Sequence, residues 1–300
     1  MAQNAEMLAK VKNANGFIAA LDQSGGSTPG ALKGYGYKGD EWSSDDEMYD
    51  LVHQMRVRIV SSPVFNGEKV LGAILFERTM DGEANGQPVP TYLWSKGVVP
   101  FLKIDKGLAD ETNGVQLMKP NPDLDALLER GVAKGIFGTK ERSVIHLANP
   151  QGIADVVAQQ FEVGKQVLGH GLVPIIEPEV NIKSAERAAA DEILRDEILR
   201  HLDRLPEGSE VMLKLSIPEK PGTFDALVRH PRVLRVVALS GGFSRADACR
   251  ELAKNPGMIA SFSRALLSDL RHDTKEADFD RDLGEAIDEI YEASTEKVAA

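Results

Sequence analysis

Lys214 sits where an ionised side chain is least expected, inside the run Val211-Met212-Leu213-Lys214-Leu215. Burial disfavours the ammonium form, and a free amine near neutral pH is a nucleophile able to attack a ketone. Read alone, such a residue serves equally well as a structural lysine paired with a glutamate. Its company narrows the choice. Asp22 ends one apolar run, Lys103 and Asp105 stand in another, then Lys140 and Arg142, then Glu177 and Glu179, and Arg264 ends the last. Residues two apart on a strand project to the same side, so each of these pairs is presented together. Ionised side chains are rarely buried without partners, so these residues predict a mutually compensated cluster. Carboxylates there would move protons, and the cations would hold and orient an anionic substrate.

Two glycine-rich segments carry a different signal. Ser24-Gly25-Gly26-Ser27 follows the first apolar run, and Ser240-Gly241-Gly242 ends the seventh. Glycines at such turns let backbone N–H groups face an anion, so each segment is a candidate phosphate site. Two such sites imply a substrate phosphorylated at both ends, or two alternative ones.

The elements that must position these residues alternate along the chain. Eight short apolar runs read as strands buried on both faces: Gly16–Gln23, Val70–Glu77, Val99–Asp105, Ile136–Val144, Leu172–Val180, Glu210–Ile217, Val233–Gly242 and Ile259–Ala265. Helical patterns lie between them. Met48, Leu51, Val52, Met55 and Ile59 follow the cap Ser43-Ser44-Asp45, and Ile153, Val156, Val157 and Phe161 follow Asn149-Pro150. Ser184–Arg204 carries Leu194, Ile198, Leu199 and Leu202, with the charge run DEILRDEILRHLDR as its solvated side. Ser244-x-x-Asp247 caps a short helix that Asn255-Pro256-Gly257 ends. Eight strands alternating with helices predict an α/β protein, a (β/α)8 TIM barrel, with an open doubly wound sheet as the alternative. Residues 1–300 read as a single barrel domain with helical extensions at both termini. The charges then converge on the C-terminal rim, where barrels of this kind place their catalytic residues.

Composition sets the outer bounds. The chain has 35 Lys and Arg against 46 Asp and Glu, a net −11, which disfavours a nucleic-acid partner. Cys249 is the single cysteine, so neither an intrachain disulfide nor a cysteine-based zinc site is available. The six histidines form no HxH or HExxH pattern, and no metal cofactor is expected. Gly34-Tyr35-Gly36-Tyr37-Lys38-Gly39 matches GxGxxG, but no strand leads into it, so it reads as a loop. No apolar run has the length of a signal peptide or a membrane span, and the expectation is a soluble, cytoplasmic protein. Oligomeric state is not legible.

The ordered segments FIAALDQSGGST, GAILFE, GVVPFLKIDKG, IFGTKERS, GLVPIIEPEVNI, VMLKLSIP, VVALSGGFSR and SFSRAL resemble the short bacterial type of class I fructose-1,6-bisphosphate aldolase along nearly the whole chain. The resemblance implies a reversible, metal-independent cleavage of fructose 1,6-bisphosphate through a lysine imine. It implies Lys214 as the imine lysine and Glu177 as the acid and base for water loss. Glu179 would orient the lysines, Lys140 and Arg142 would form the cationic pair beside the imine, and Asp22 would sit near the reacting hydroxyls. One phosphate would fall to Ser240, Gly241, Ser261, Ser263 and Arg264, the other to Ser24, Ser27 and Lys103. The sequence departs from the larger animal and plant enzymes at Gln23, where they carry Glu, and at Ala31, where an arginine helps hold the distal phosphate. Their tail ending in tyrosine has no counterpart before Ala300, and Tyr291 reads as packing with Phe279, Leu283 and Ile287. Other Schiff-base barrel lyases, such as transaldolase, share the lysine logic but lack a use for a second phosphate site. A decayed, anion-binding scaffold is disfavoured by the complete set Asp22, Lys140, Glu177 and Lys214.

Overall fold

A computed structural model describes residues 2–298, apart from the side chains of Ala2, Gln3 and Ser27. Eight parallel strands form one sheet in chain order: β1 (Phe17–Leu21), β2 (Val70–Leu75), β3 (Val99–Lys103), β4 (Gly138–Ile145), β5 (Val173–Val180), β6 (Val211–Ser216), β7 (Val233–Leu239) and β8 (Met258–Ala260). The sheet curls until the Ala20 N–H donates to the Phe262 carbonyl at 3.0 Å, which brings β8 back to β1. The result is a (β/α)8 barrel, and each of the eight expected strands is present. The eighth is shorter than its apolar run suggests: Ser261–Ser263 leave the strand, and Arg264 opens a four-residue helix, Arg264–Leu267.

Strand side chains divide between two cores because successive residues point to opposite faces. Ile18, Ala20, Val99, Phe101, Ile175, Met212, Val237 and Ile259 fill the barrel interior, while a larger apolar layer packs outward against the helices. Phe101 needs room at the centre. A Cβ on Gly138 would collide with the Val173 carbonyl and meet the Phe101 ring at 3.0 Å, so this strand position excludes any side chain.

The floor of the barrel is closed by the helix Ala2–Asn13, which contributes Met7 and Val11 to the interior core. Arg235 of β7 secures that plug by donating to the carbonyls of Val11, Lys12 and Ala14 at the helix end. At the other terminus, the helix Glu276–Thr295 buries Phe279, Leu283, Ile287 and Ile290 at helical spacing. Tyr291 is half-buried against the same core. Ser294 accepts from the Ala260 N–H at 3.0 Å, tying this helix to β8.

The expected caps are in place. Ser44, Asn149 and Ser244 accept from the N–H groups of Glu47, Gly152 and Asp247 at the starts of their helices. One helix face differs from expectation. Of the charge run in Arg187–Leu202, Asp191 and Glu197 are buried and not solvated. Asp191 accepts from the Glu219 N–H at 3.0 Å, and burial pushes its carboxyl up to about 6. The charge run conceals this because position 191 falls beside Ala190 and Leu194 on the buried side.

Candidate active site

The interior core stops short of the C-terminal rim, and ionised side chains take over. Ile18 and Ala20 are followed on the inward face of β1 by Asp22, and Val99 and Phe101 on β3 by Lys103 and Asp105. Lys140 and Arg142 of β4, Glu177 and Glu179 of β5 and Lys214 of β6 complete the wall of a cleft of about 1230 Å³. The alternation that builds a dry barrel floor therefore delivers a charged ceiling from the same strands.

Glu177 is the hub. One carboxylate oxygen lies 3.1 Å from the Lys214 amine and the other 2.8 Å from that of Lys140. Lys140 also reaches Asp22 at 2.8 Å. Exposure of these four residues runs only from 3% to 7%, so each charge depends on its neighbours and not on water. Burial works to raise the Asp22 carboxyl, but the Lys140, Lys214 and Lys103 ammonium groups outweigh it and hold Asp22 well below the usual carboxylate range. Burial likewise works to lower Lys140, and Asp22 and Glu177 override it, so Lys140 stays cationic above the ordinary lysine range.

Glu179 pairs with Arg142 at 3.1 Å near the mouth. The guanidinium is disfavoured by burial but raised overall by Glu179. Gln160, from the helix Pro150–Gly169, accepts from the Glu177 N–H at 2.8 Å and donates to Ser143 at 2.9 Å, fixing β5 against β4 behind the hub.

The two predicted anion sites line the same cleft. Ser240, Gly241, Ser261, Ser263 and Arg264 line one, at the ends of β7 and β8. Gly241 has φ of 59°, and a Cβ there would meet Ile182 at 2.6 Å, so the tight turn is reserved for glycine. Ser24 and Lys103 line the other part of the cleft together with Ala31. Ser27 belongs to the short 3-10 turn Gly25–Ser27, and its side chain lies outside the described residues. Lys103 is engaged by Asp105, whose carboxylate lies 2.6 Å away.

Three contributors escape a reading by motif. Arg56 is fully buried, donates to Thr79 at 2.8 Å and also to the Gln23 carbonyl, so it clamps the chain immediately after Asp22. Burial lowers its guanidinium to about 10 despite the pull of Asp22. Its signal was a charge at a stripe position, four residues after Val52 and three before Ile59. Gln23 donates to Ser263 at 2.6 Å, joining the β1 end to the loop after β8. Asp105, read only as the partner of Lys103 on one strand, also accepts from the Gly107 N–H at 3.2 Å and so shapes the loop above it.

Among the described residues no group of three or more His, Cys, Asp or Glu is placed to hold a metal ion. A buried amine in contact with a shared carboxylate, at the C-terminal rim of a (β/α)8 barrel, is the arrangement of a lysine-imine lyase. The chain belongs to the family of glycolytic class-I fructose-bisphosphate aldolases, whose model matches residues 46–216, more than half of its length. That span carries Lys103, Lys140, Arg142, Glu177, Glu179 and Lys214.

Solved structures share the fold. Fructose-bisphosphate aldolase from Plasmodium falciparum, in a complex with TRAP and a small-molecule inhibitor, superposes with a TM-score of 0.79 at 21% identity, over 100% of this chain and 96% of that one. An archaeal fructose-1,6-bisphosphate aldolase, with its catalytic lysine bound to a carbinolamine intermediate, superposes at 0.51 and 13% identity, over 96% and 99%. A Schiff-base-forming fructose-1,6-bisphosphate aldolase studied through its reaction intermediates gives 0.52 and 15%, over 95% and 99%.

Proposed function

We propose that this chain cleaves fructose 1,6-bisphosphate reversibly into dihydroxyacetone phosphate and glyceraldehyde 3-phosphate, a step of glycolysis and gluconeogenesis. The observation that carries the residue roles is Glu177, bridging Lys214 at 3.1 Å and Lys140 at 2.8 Å in a water-poor wall. Lys214 attacks the C2 carbonyl, and Glu177 supplies the proton with which the former carbonyl oxygen leaves as water. The resulting iminium is an electron sink. Loss of the C4 hydroxyl proton lets the C3–C4 bond break, its electron pair passing into the iminium to give an enamine as the aldehyde departs. Protonation at C3 and hydrolysis return the amine and release the ketone.

Asp22, held ionised by Lys140, orients reacting hydroxyls by accepting hydrogen bonds, while Glu177 carries the proton. Lys140 remains a fixed cation beside the developing charge, and Glu179 steadies Arg142. Arg264 with the Ser240-Gly241 turn, Ser261 and Ser263 takes one phosphate. Ser24, Ser27 and Lys103 lie toward the other.

The barrel and its two terminal helices act as one domain in this reading. Among the described residues no helix is long and apolar enough to cross a membrane. With a net charge of −11, a small sugar phosphate drawn to a local cationic cleft is a better partner than nucleic acid, and the cytoplasm is where such a substrate is met.

Borohydride reduction in the presence of dihydroxyacetone phosphate tests the proposal. A covalent label on Lys214, found by peptide mapping and formed equally well after EDTA treatment, is the expected result. A label on Lys140 or Lys103, or none, overturns the assignment.

A further inference from the structure

A doubly phosphorylated substrate needs a positive charge at each end that is not already spent on a carboxylate, because an occupied ion pair must loosen before it can bind a new anion. Most cations lining the cleft are committed. Lys140 and Lys214 share Glu177, Arg142 holds Glu179, Lys103 is closed onto Asp105 at 2.6 Å, and Lys106 reaches Glu77 at 3.1 Å. Among the described residues that leaves Arg264 and Lys119 as the lining cations without an acidic partner. Arg264 follows β8, whereas Lys119 lies in the connection from β3 to β4. In a ring of eight strands β3 and β4 stand three and four places from β8, so the two free charges line well-separated parts of the rim.

Lys119 is exposed, yet its backbone is held. Its N–H donates to the Gly107 carbonyl at 2.9 Å. Met118 exchanges two hydrogen bonds with Gln159 of the helix behind β4, at 2.8 and 3.0 Å. Asn121 donates to the Ile104 carbonyl at 3.0 Å, and the intervening Pro120 restricts the chain further. The segment thus presents one uncommitted ammonium from a fixed base, beside the Gly107 loop that follows Lys103 and Asp105.

We propose that Lys119 is a specificity-determining residue for the phosphate remote from Arg264, contributing free charge that Lys103, neutralised by Asp105, does not. This rests on the fructose bisphosphate reading above. Steady-state cleavage of fructose 1,6-bisphosphate and fructose 1-phosphate by wild type, Lys119→Gln and Lys119→Arg tests it. In Lys119→Gln the ratio of kcat/KM for the bisphosphate to that for the monophosphate is expected to fall about tenfold, the value of one charge-assisted contact, with the change in KM and not kcat. Lys119→Arg should keep the wild-type ratio. A ratio within about twofold of wild type in Lys119→Gln, or an equal loss on both substrates, overturns the proposal. Failure of the underlying reading looks different: wild type would cleave neither sugar and take no borohydride label at Lys214.

Discussion

Lys140 and Glu141 are adjacent in the chain, both almost wholly buried and both ionisable, yet the strand between them puts them in opposite circumstances. Lys140 faces inward and meets Asp22 and Glu177 at 2.8 Å each. Glu141 faces outward with Thr139 and Ser143, toward the helix layer, and neither of its oxygens finds a hydrogen-bond partner. Ser143 on the same face is satisfied by Gln160, while the Thr139 hydroxyl is not. Burial, reinforced by repulsion from Asp105, pushes the Glu141 carboxyl well above the ordinary range, whereas the neighbouring carboxylates hold Lys140 in its charged form. The lesson is that depth alone does not decide what a buried charge costs. The number of partners supplied by other strands does.

The largest expected effect comes from breaking the inward side. Lys140→Met keeps bulk and removes charge, and cleavage should fall by about 10²-fold or more. Asp22 and Glu177 hold Lys140 charged, and Lys140 in turn is the chief charge holding Asp22 ionised. Without it the Asp22 carboxyl should rise toward the ordinary range, so the acid limb of the pH–rate profile of single-turnover imine trapping should move to higher pH. A uniformly lower rate on an unchanged pH profile would show that Lys140 only positions substrate.

The outward side should respond with the opposite sign. Glu141→Met replaces an unpartnered carboxyl by an apolar side chain of similar length and should stabilise the fold by about 2 kcal/mol at neutral pH. A carboxyl whose folded pKa is raised destabilises the native state as pH climbs from the unfolded pKa toward the folded one. The gain in Tm should therefore be larger at pH 8 than at pH 5, and equal gains at both would remove the electrostatic explanation. The smallest effect is at Thr139. Thr139→Val discards a buried hydroxyl that has no partner, and urea unfolding should show stability unchanged or increased by up to about 1 kcal/mol. A clear loss would reveal a partner, such as bound water, and would weaken the contrast between the two faces.

Much of the barrel was legible because its signals are local. A parallel strand covered on both sides is a continuous apolar run, and the caps at Ser44, Asn149 and Ser244 announce their helices within three residues. The charges interrupting those runs are legible for the same reason, since Lys214 among Met212, Leu213 and Leu215 violates the pattern around it. What misled was also local. The charge run around Asp191 looks solvated until the helix face is known, and Arg264 looks like a strand end although β8 stops at Ala260.

Pairing is a different matter, because it joins residues far apart in the chain. That Glu177 would stand between Lys140 and Lys214, and that Arg56 would reach the Gln23 carbonyl, depend on how eight strands curl and stagger. The inward and outward assignment of Lys140 and Glu141 follows from a two-residue period that any strand has, but which face is the site depends on the closed sheet. Residue types, their spacing and the elements that carry them were present in one dimension. Which charges are neutralised, and which remain free for a substrate, were decided only when the barrel brought distant strands within hydrogen-bond reach.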